Sequence, residues 1–162
     1  MQVGKYSVVP ETTVVLAKGW QQGIFQITSY PFKQMCGDWP EALALKEPLR
    51  EGKEIIIGND VWIGPGVTLF NGITIGDGAV IGAMTVVAKS VSPYAVVAGN
   101  PCIELKKRFS NDDIAFLLKL RWWDWPVEKL REHLHIICSA NLSKLKQLFP
   151  DALPIRGDAN DQ

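Results

Sequence analysis

A parallel β-helix is the fold this sequence predicts, on three observations. An aliphatic residue returns at every sixth position through Ile57, Ile63, Leu69, Ile75, Ile81 and Val87. Glycine follows four of these, at Gly58, Gly64, Gly76 and Gly82. The fifth positions, Val61, Val67, Ile73, Ala79, Thr85 and Val91, are all small or β-branched. A helix would bring residues three or four apart onto one face, and a strand every second residue. A period of six fits neither. It fits a coil in which three short strands make one triangular turn and the first-position aliphatics stack inside. The glycines take corners that need positive φ or close backbone approach. "NDV", "FNG" and "GDG" supply the turn chemistry.

The other elements follow in order. Val3, Val9 and Val15 keep the same spacing and predict one earlier coil. Residues from about 20 to 53 break the pattern with "GWQQGIFQITSYPFKQMCGDWPEALALKEPLREGKE". A loop this long is functional or disordered as a rule, and its aromatic content argues for an ordered excursion that packs on something. After Pro101 the character changes to helix. Ser110 and Asp113 form an N-terminal cap ahead of an apolar-periodic run, Pro126 opens a second helix, and "ANLSKLKQLF" gives a third. The expected organisation is a β-helix over 1–103 with the loop inserted at about 20–53, a helical extension over 104–150, and a flexible polar tail over 151–162.

Composition excludes several classes. At 162 residues, one domain with an appendage is expected. Lys and Arg balance Asp and Glu at 17 each, so the phosphate-neutralising term of nucleic-acid binding has no source. No apolar run approaches the ~18 residues that span a bilayer, and the start "MQVGKYSVVPETT" has no signal-peptide core. Cys36, Cys102 and Cys138 are odd in number and irregularly spaced. They read as small hydrophobes of a reducing cytoplasm rather than a disulfide framework.

Four stretches resemble a known family. "IGNDVWIG" at 57–64, "VIGAMTVVAKSVSPYAVVAGNP" at 80–101, "KKRFSNDDIAFLLKLRWWDWP" at 106–126 and "TSYPF" at 28–32 resemble the left-handed β-helix hexapeptide-repeat acyltransferases. Within them the match is to the xenobiotic, or CatB-like, acetyltransferases, over about residues 3 to 150. The resemblance implies a left-handed coil and a homotrimer. It also implies acetyl-CoA in a groove between neighbouring β-helices and a small-molecule or sugar acceptor near the long loop.

The resemblance also assigns residues. The family's proton acceptor is a loop histidine, and its position here is Gln22; the acidic residue after it falls on Phe25. A glutamine amide does not accept a proton at neutral pH. The only histidines, His133 and His135, lie in the C-terminal segment. Three readings stay open. The acceptor is an amine, nucleophilic without a base, with Gln22 positioning it. Alternatively Asp38, Glu41 or Cys36 serves as base, the carboxylates through a pKa raised by burial. Or the chain binds CoA without catalysis, or acts as a scaffold. On the CoA side the resemblance gives Trp62 beside the groove, Gly82 and Ala83 along the pantetheine arm, and Lys89, Lys107 and Arg108 for phosphates. The family lysine after "GNPA" is Ile103 here. Trp20, Tyr30, Phe32 and Trp39 are candidates to line an acceptor pocket, though aromatics in a loop more often pack it down. Two histidines fall short of the three imidazoles of a zinc site in this fold, so no metal is expected.

Overall fold

The computed structural model describes residues 1–16, 27–28, 30–45 and 54–153. Trp20, Gln22, Phe25 and the tail from 154 onward lie outside the described residues. The chain runs through β1 (Gln2–Val3), β2 (Val14–Leu16), α1 (Phe32–Met35), α2 (Pro40–Leu43), β3 (Ile56–Ile57), β4 (Trp62–Ile63), β5 (Thr68–Phe70), β6 (Thr74–Ile75), β7 (Val80–Ile81), β8 (Val86–Val87), β9 (Ala95–Ala98) and β10 (Ile103–Lys107). The helices α3 (Asn111–Leu120), α4 (Val127–Ile137) and α5 (Leu142–Leu148) follow.

The strands form three faces, in the orders β1-β3-β6, β2-β5-β8 and β4-β7-β9, the last extended by antiparallel β10. Ile57 opposes Ile75, Ile63 opposes Ile81 and Leu69 opposes Val87, all in parallel register. Each pair differs by 18, so three hexads make one turn. The early coil stacks on the main run: Val3 opposes Ile57, Val8 bridges Trp62, and Val15 opposes Leu69. The column is dry, with Ile63, Leu69, Ile75, Ile81 and Val87 at 1% exposure or less. Burying such a side chain contributes ~1.5–3 kcal/mol. Thr85, the one buried polar residue of the described core, accepts a hydrogen bond from the Gly99 amide at 3.2 Å.

The corners divide their work differently from the sequence reading. Positive φ falls at the fourth position of most hexads, at Tyr6, Asp60, Gly66, Gly72, Gly78 and Met84, and at Tyr94, fourth from Val91, but not at Thr12 or Ser90. The glycine after the column residue serves close approach instead. A Cβ on Gly64 would lie 2.6 Å from the Ala83 amide of the next coil. The period also slips near the end. Val91, a fifth-position residue by sequence, stands opposite Ile75, and Val97 opposes Ile81, each offset being 16 rather than 18. The turn after Val87 is two residues shorter, with Ser90 Oγ accepting from the Thr74 amide at 3.0 Å.

The helical extension docks on one corner edge. Ser110 caps α3, its Oγ accepting from the Asp113 amide at 3.2 Å and donating to the Asp113 carboxylate at 2.7 Å. Tyr94 joins Ile114, Phe116, Leu117, Ile136 and Leu145 in a second core. "RWWDW" forms a short 3₁₀ turn at Trp122–Asp124 with Trp123 fully buried. Trp122 packs on Tyr6 of the first coil with ring centroids 5.1 Å apart. Lys5 pairs with Asp124 at 2.9 Å.

Candidate active site

The register places Val8, Trp62, Val80 and Val96 in one outward row across the β4-β7-β9 face. Inward residues alternate with outward ones along a strand, so Ile63, Ile81 and Val97 face the core while this row faces out. Trp62 is 47% exposed and Val8 54%. The row is an apolar ledge. The equivalent row of the β1-β3-β6 face is Gln2, Ile56 and Thr74, and that of β2-β5-β8 is Val14, Thr68 and Val86. Gly82 and Ala83 turn the corner after β7. Ala83 is exposed, and a Cβ on Gly82 would touch the Ala98 methyl at 3.0 Å.

Lys89 is exposed on the shortened turn after β8. Lys107 Nζ donates to Ser92 Oγ and lies 3.4 Å from Glu104. Arg108 is tied into the fold. Its Nη1 donates to the Gly78 carbonyl at 2.7 Å and to Asp60 Oδ2 at 3.2 Å, and the guanidinium lies over the Tyr94 and Phe109 rings. Burial pushes the Asp60 carboxyl above its ordinary range against the pull of Arg108. Burial, then the Asp60 charge, pushes the Tyr94 phenol up as well.

In the loop, the structure brings three candidates together. The rings of Tyr30 and Phe32 stand 4.8 Å apart, and those of Phe32 and Trp39 6.0 Å. Asp38 and Glu41 are exposed, and Glu41 lies in the first turn of α2. Cys36 is half-buried after α1. Both histidines lie in α4, where His133 packs on Trp125 and Phe149. Among the described residues, no three His, Cys, Asp or Glu side chains are grouped to hold a metal, and no helix is long and apolar enough to cross a membrane.

The sequence reading missed the corner trio of Asp60, Tyr94 and Asp77. The Asp77 carboxylate accepts from the Asn59 amide at 2.6 Å and from Asn59 Nδ2 at 2.9 Å. Only Asp60 of the three stands at a fourth position by the sequence count; Asp77 stands one position earlier, and Tyr94 reaches that corner through the slip after Val87.

The bacterial transferase hexapeptide family (six repeats) matches residues 54–89. A probable macrolide acetyltransferase of Lysinibacillus sphaericus is 42% identical over 148 residues, covering 91% of this chain and 82% of that protein. A chloramphenicol acetyltransferase of Escherichia coli is 40% identical over 74% of this chain, which spans 56% of that protein's length. Among solved structures, a galactoside acetyltransferase in complex with coenzyme A shares 27% identity over 68% of this chain and 46% of its own, with a TM-score of 0.46. The chain therefore belongs to the hexapeptide-repeat acyltransferases, in their xenobiotic acetyltransferase branch.

Proposed function

We propose that this protein transfers the acetyl group of acetyl-CoA to a small-molecule or sugar acceptor, and that the acceptor group is an amine. The observation that carries the transferase reading is the match to an acetyltransferase over 91% of the chain. The amine preference rests on Gln22 at the family's histidine position. An acceptor nitrogen attacks the thioester carbonyl with its own lone pair, the carbon–sulfur bond breaks, and the nitrogen's proton leaves with or after the CoA thiolate. No base need precede attack. An alcohol needs that base, worth about 10²–10⁴ in rate.

In this reading the coil is left-handed and three copies assemble, with the Trp62–Val80–Val96 ledge bordering a groove between neighbours. Trp62 flanks the carrier, Gly82 and Ala83 leave room for the pantetheine arm, and Lys89 and Lys107 meet phosphates. Arg108 serves the fold first, since its Nη1 is bonded to Asp60 and Gly78. Tyr30, Phe32 and Trp39 line the acceptor side with Trp20, and Gln22 orients the amine. The division at 1–103, 104–150 and 151–162, a cytoplasmic location and the lack of a resident metal belong to the same proposal.

The test is turnover. Protein, acetyl-CoA and matched panels of amines and alcohols are mixed and free thiol is followed. Release is expected with amines alone, and Gln22→His is expected to add alcohols. Cofactor binding without release from any acceptor would favour the second reading, a CoA-binding scaffold, which the same glutamine supports.

A further inference from the structure

A cavity of about 240 Å³ opens where the corner edge meets the α4–α5 connection. Phe109, Trp122, Ile136 and Leu142 supply apolar wall, and Asp60 and Arg108 supply charge. The corner explains why the charge is there. Asp60, Gly78 and Tyr94 are the same fourth-position corner on successive coils, linked by hydrogen bonds from the Gly78 amide to the Asn59 carbonyl and from the Tyr94 amide to the Asp77 carbonyl. Asp60 thus projects at the edge where the extension docks, and Arg108 comes across to meet it at 3.2 Å. Among the described residues, neither Asp60 Oδ1 nor Arg108 Nη2 has a hydrogen-bond partner. The pair leaves one acceptor and further donors unused in a mostly apolar lining that also includes Ser139 and Asn141, the composition of a small-molecule site.

We propose that this cavity binds a small neutral aromatic molecule carrying a hydroxyl or primary amide. Size limits the body to about one ring, since drug-sized sites begin near 300 Å³. Charge selects the head. The carboxylate and guanidinium cancel, so an ammonium gains Asp60 but opposes Arg108, and a carboxylate does the reverse. A hydroxyl or amide both donates and accepts, and so satisfies both. Specificity comes as much from the repulsion of charged analogues as from the hydrogen bonds made to the neutral head. The site lies on the corner edge, and Trp62, Val80 and Val96 of the ledge are not among its lining residues.

Cys138, exposed and lining the same cavity, reports occupancy. The full chain is titrated at neutral pH with benzyl alcohol, benzamide, benzylamine and benzoate. Alkylation of Cys138 by iodoacetamide is read by peptide mass spectrometry, with Cys36 and Cys102 as internal controls. Benzyl alcohol and benzamide are expected to slow Cys138 several-fold at saturation, with a Kd on the order of 1 mM for ligands this small. The charged pair should bind at least about tenfold more weakly, a cost of one rejected contact. Leu142→Trp, or Ala140→Phe where the first fails to fold, should abolish protection. Asp60→Asn keeps a side chain that tolerates the left-handed backbone and frees the guanidinium, so benzoate should gain affinity. Equal protection by all four probes, protection by none, or no gain for benzoate in Asp60→Asn would each overturn the proposal.

Discussion

Tyr94 occupies a corner with φ at 55°, and its ring fills the space where a Cβ on Gly78 would sit. The residue is 1% exposed, yet among the described residues its hydroxyl has no hydrogen-bond partner. A buried unpaired hydroxyl costs about 1–3 kcal/mol, and the raised phenol pKa reflects the same desolvation. Tyr94→Phe keeps the ring and removes the orphan. It is expected to raise stability by about 1 kcal/mol, read as a higher urea midpoint at unchanged slope. A lower midpoint would mean the hydroxyl has a partner after all. Residue type foretold little of this. Asp60, Met84 and Tyr94 take the same left-handed corner as Gly66 and Gly78, so the sign of φ follows the position in the hexad, not the side chain. Gln22, by contrast, lies outside the described residues, and its part in the reading rests on the family resemblance alone.

At the level of the element, the coil was legible because its period is imposed by geometry. Only a residue pointing inward once per face must be aliphatic, and Ile57 to Val87 obey that over six faces. The slip after Val87 was not legible, since "AKSV" satisfies a four-residue and a six-residue step equally well, and the Ser90 bond that fixes the shorter turn is a tertiary contact. Close approach makes its own demand. Gly64→Ala places a methyl 2.6 Å from the Ala83 amide, against backbone that has no slack. Overpacking of this kind costs about 1–3 kcal/mol, and thermal or urea unfolding should show it. The start of α3 responds to pH. Asp113 is held below its ordinary range, chiefly by Lys146 and then by Ser110. Its ionised form therefore stabilises the fold above the unfolded-state value of 3.8, and that stability is lost as pH falls through the depressed folded value. Asp113→Asn should cost about 0.5–1 kcal/mol at pH 7, a difference that shrinks towards zero as the medium is taken below about pH 4. A gap that persists in acid would point to shape rather than charge.

For the whole molecule, the question is what covers the ledge. Val8, Trp62, Val80 and Val96 give a regular apolar row, with Val8 and Trp62 exposed and Val80 and Val96 half-buried, and apolar surface of this kind marks an interaction surface. A heterologous interface, one face of the coil against a different face of the next copy, closes into a ring when the rotation is a third of a turn, and a triangular cross-section offers that rotation naturally. Light scattering is expected to give three times the 18.0 kDa chain mass. Val80→Lys puts a charge in the middle of the row while leaving Ile81 inward, so the coil should keep its circular dichroism and the assembly should fall to single chains. A groove formed between copies disappears when they separate. Thiol release from acetyl-CoA should therefore fall in step with the mass. Monomeric protein that still turns over would place the carrier on one chain alone and separate the ledge from the chemistry.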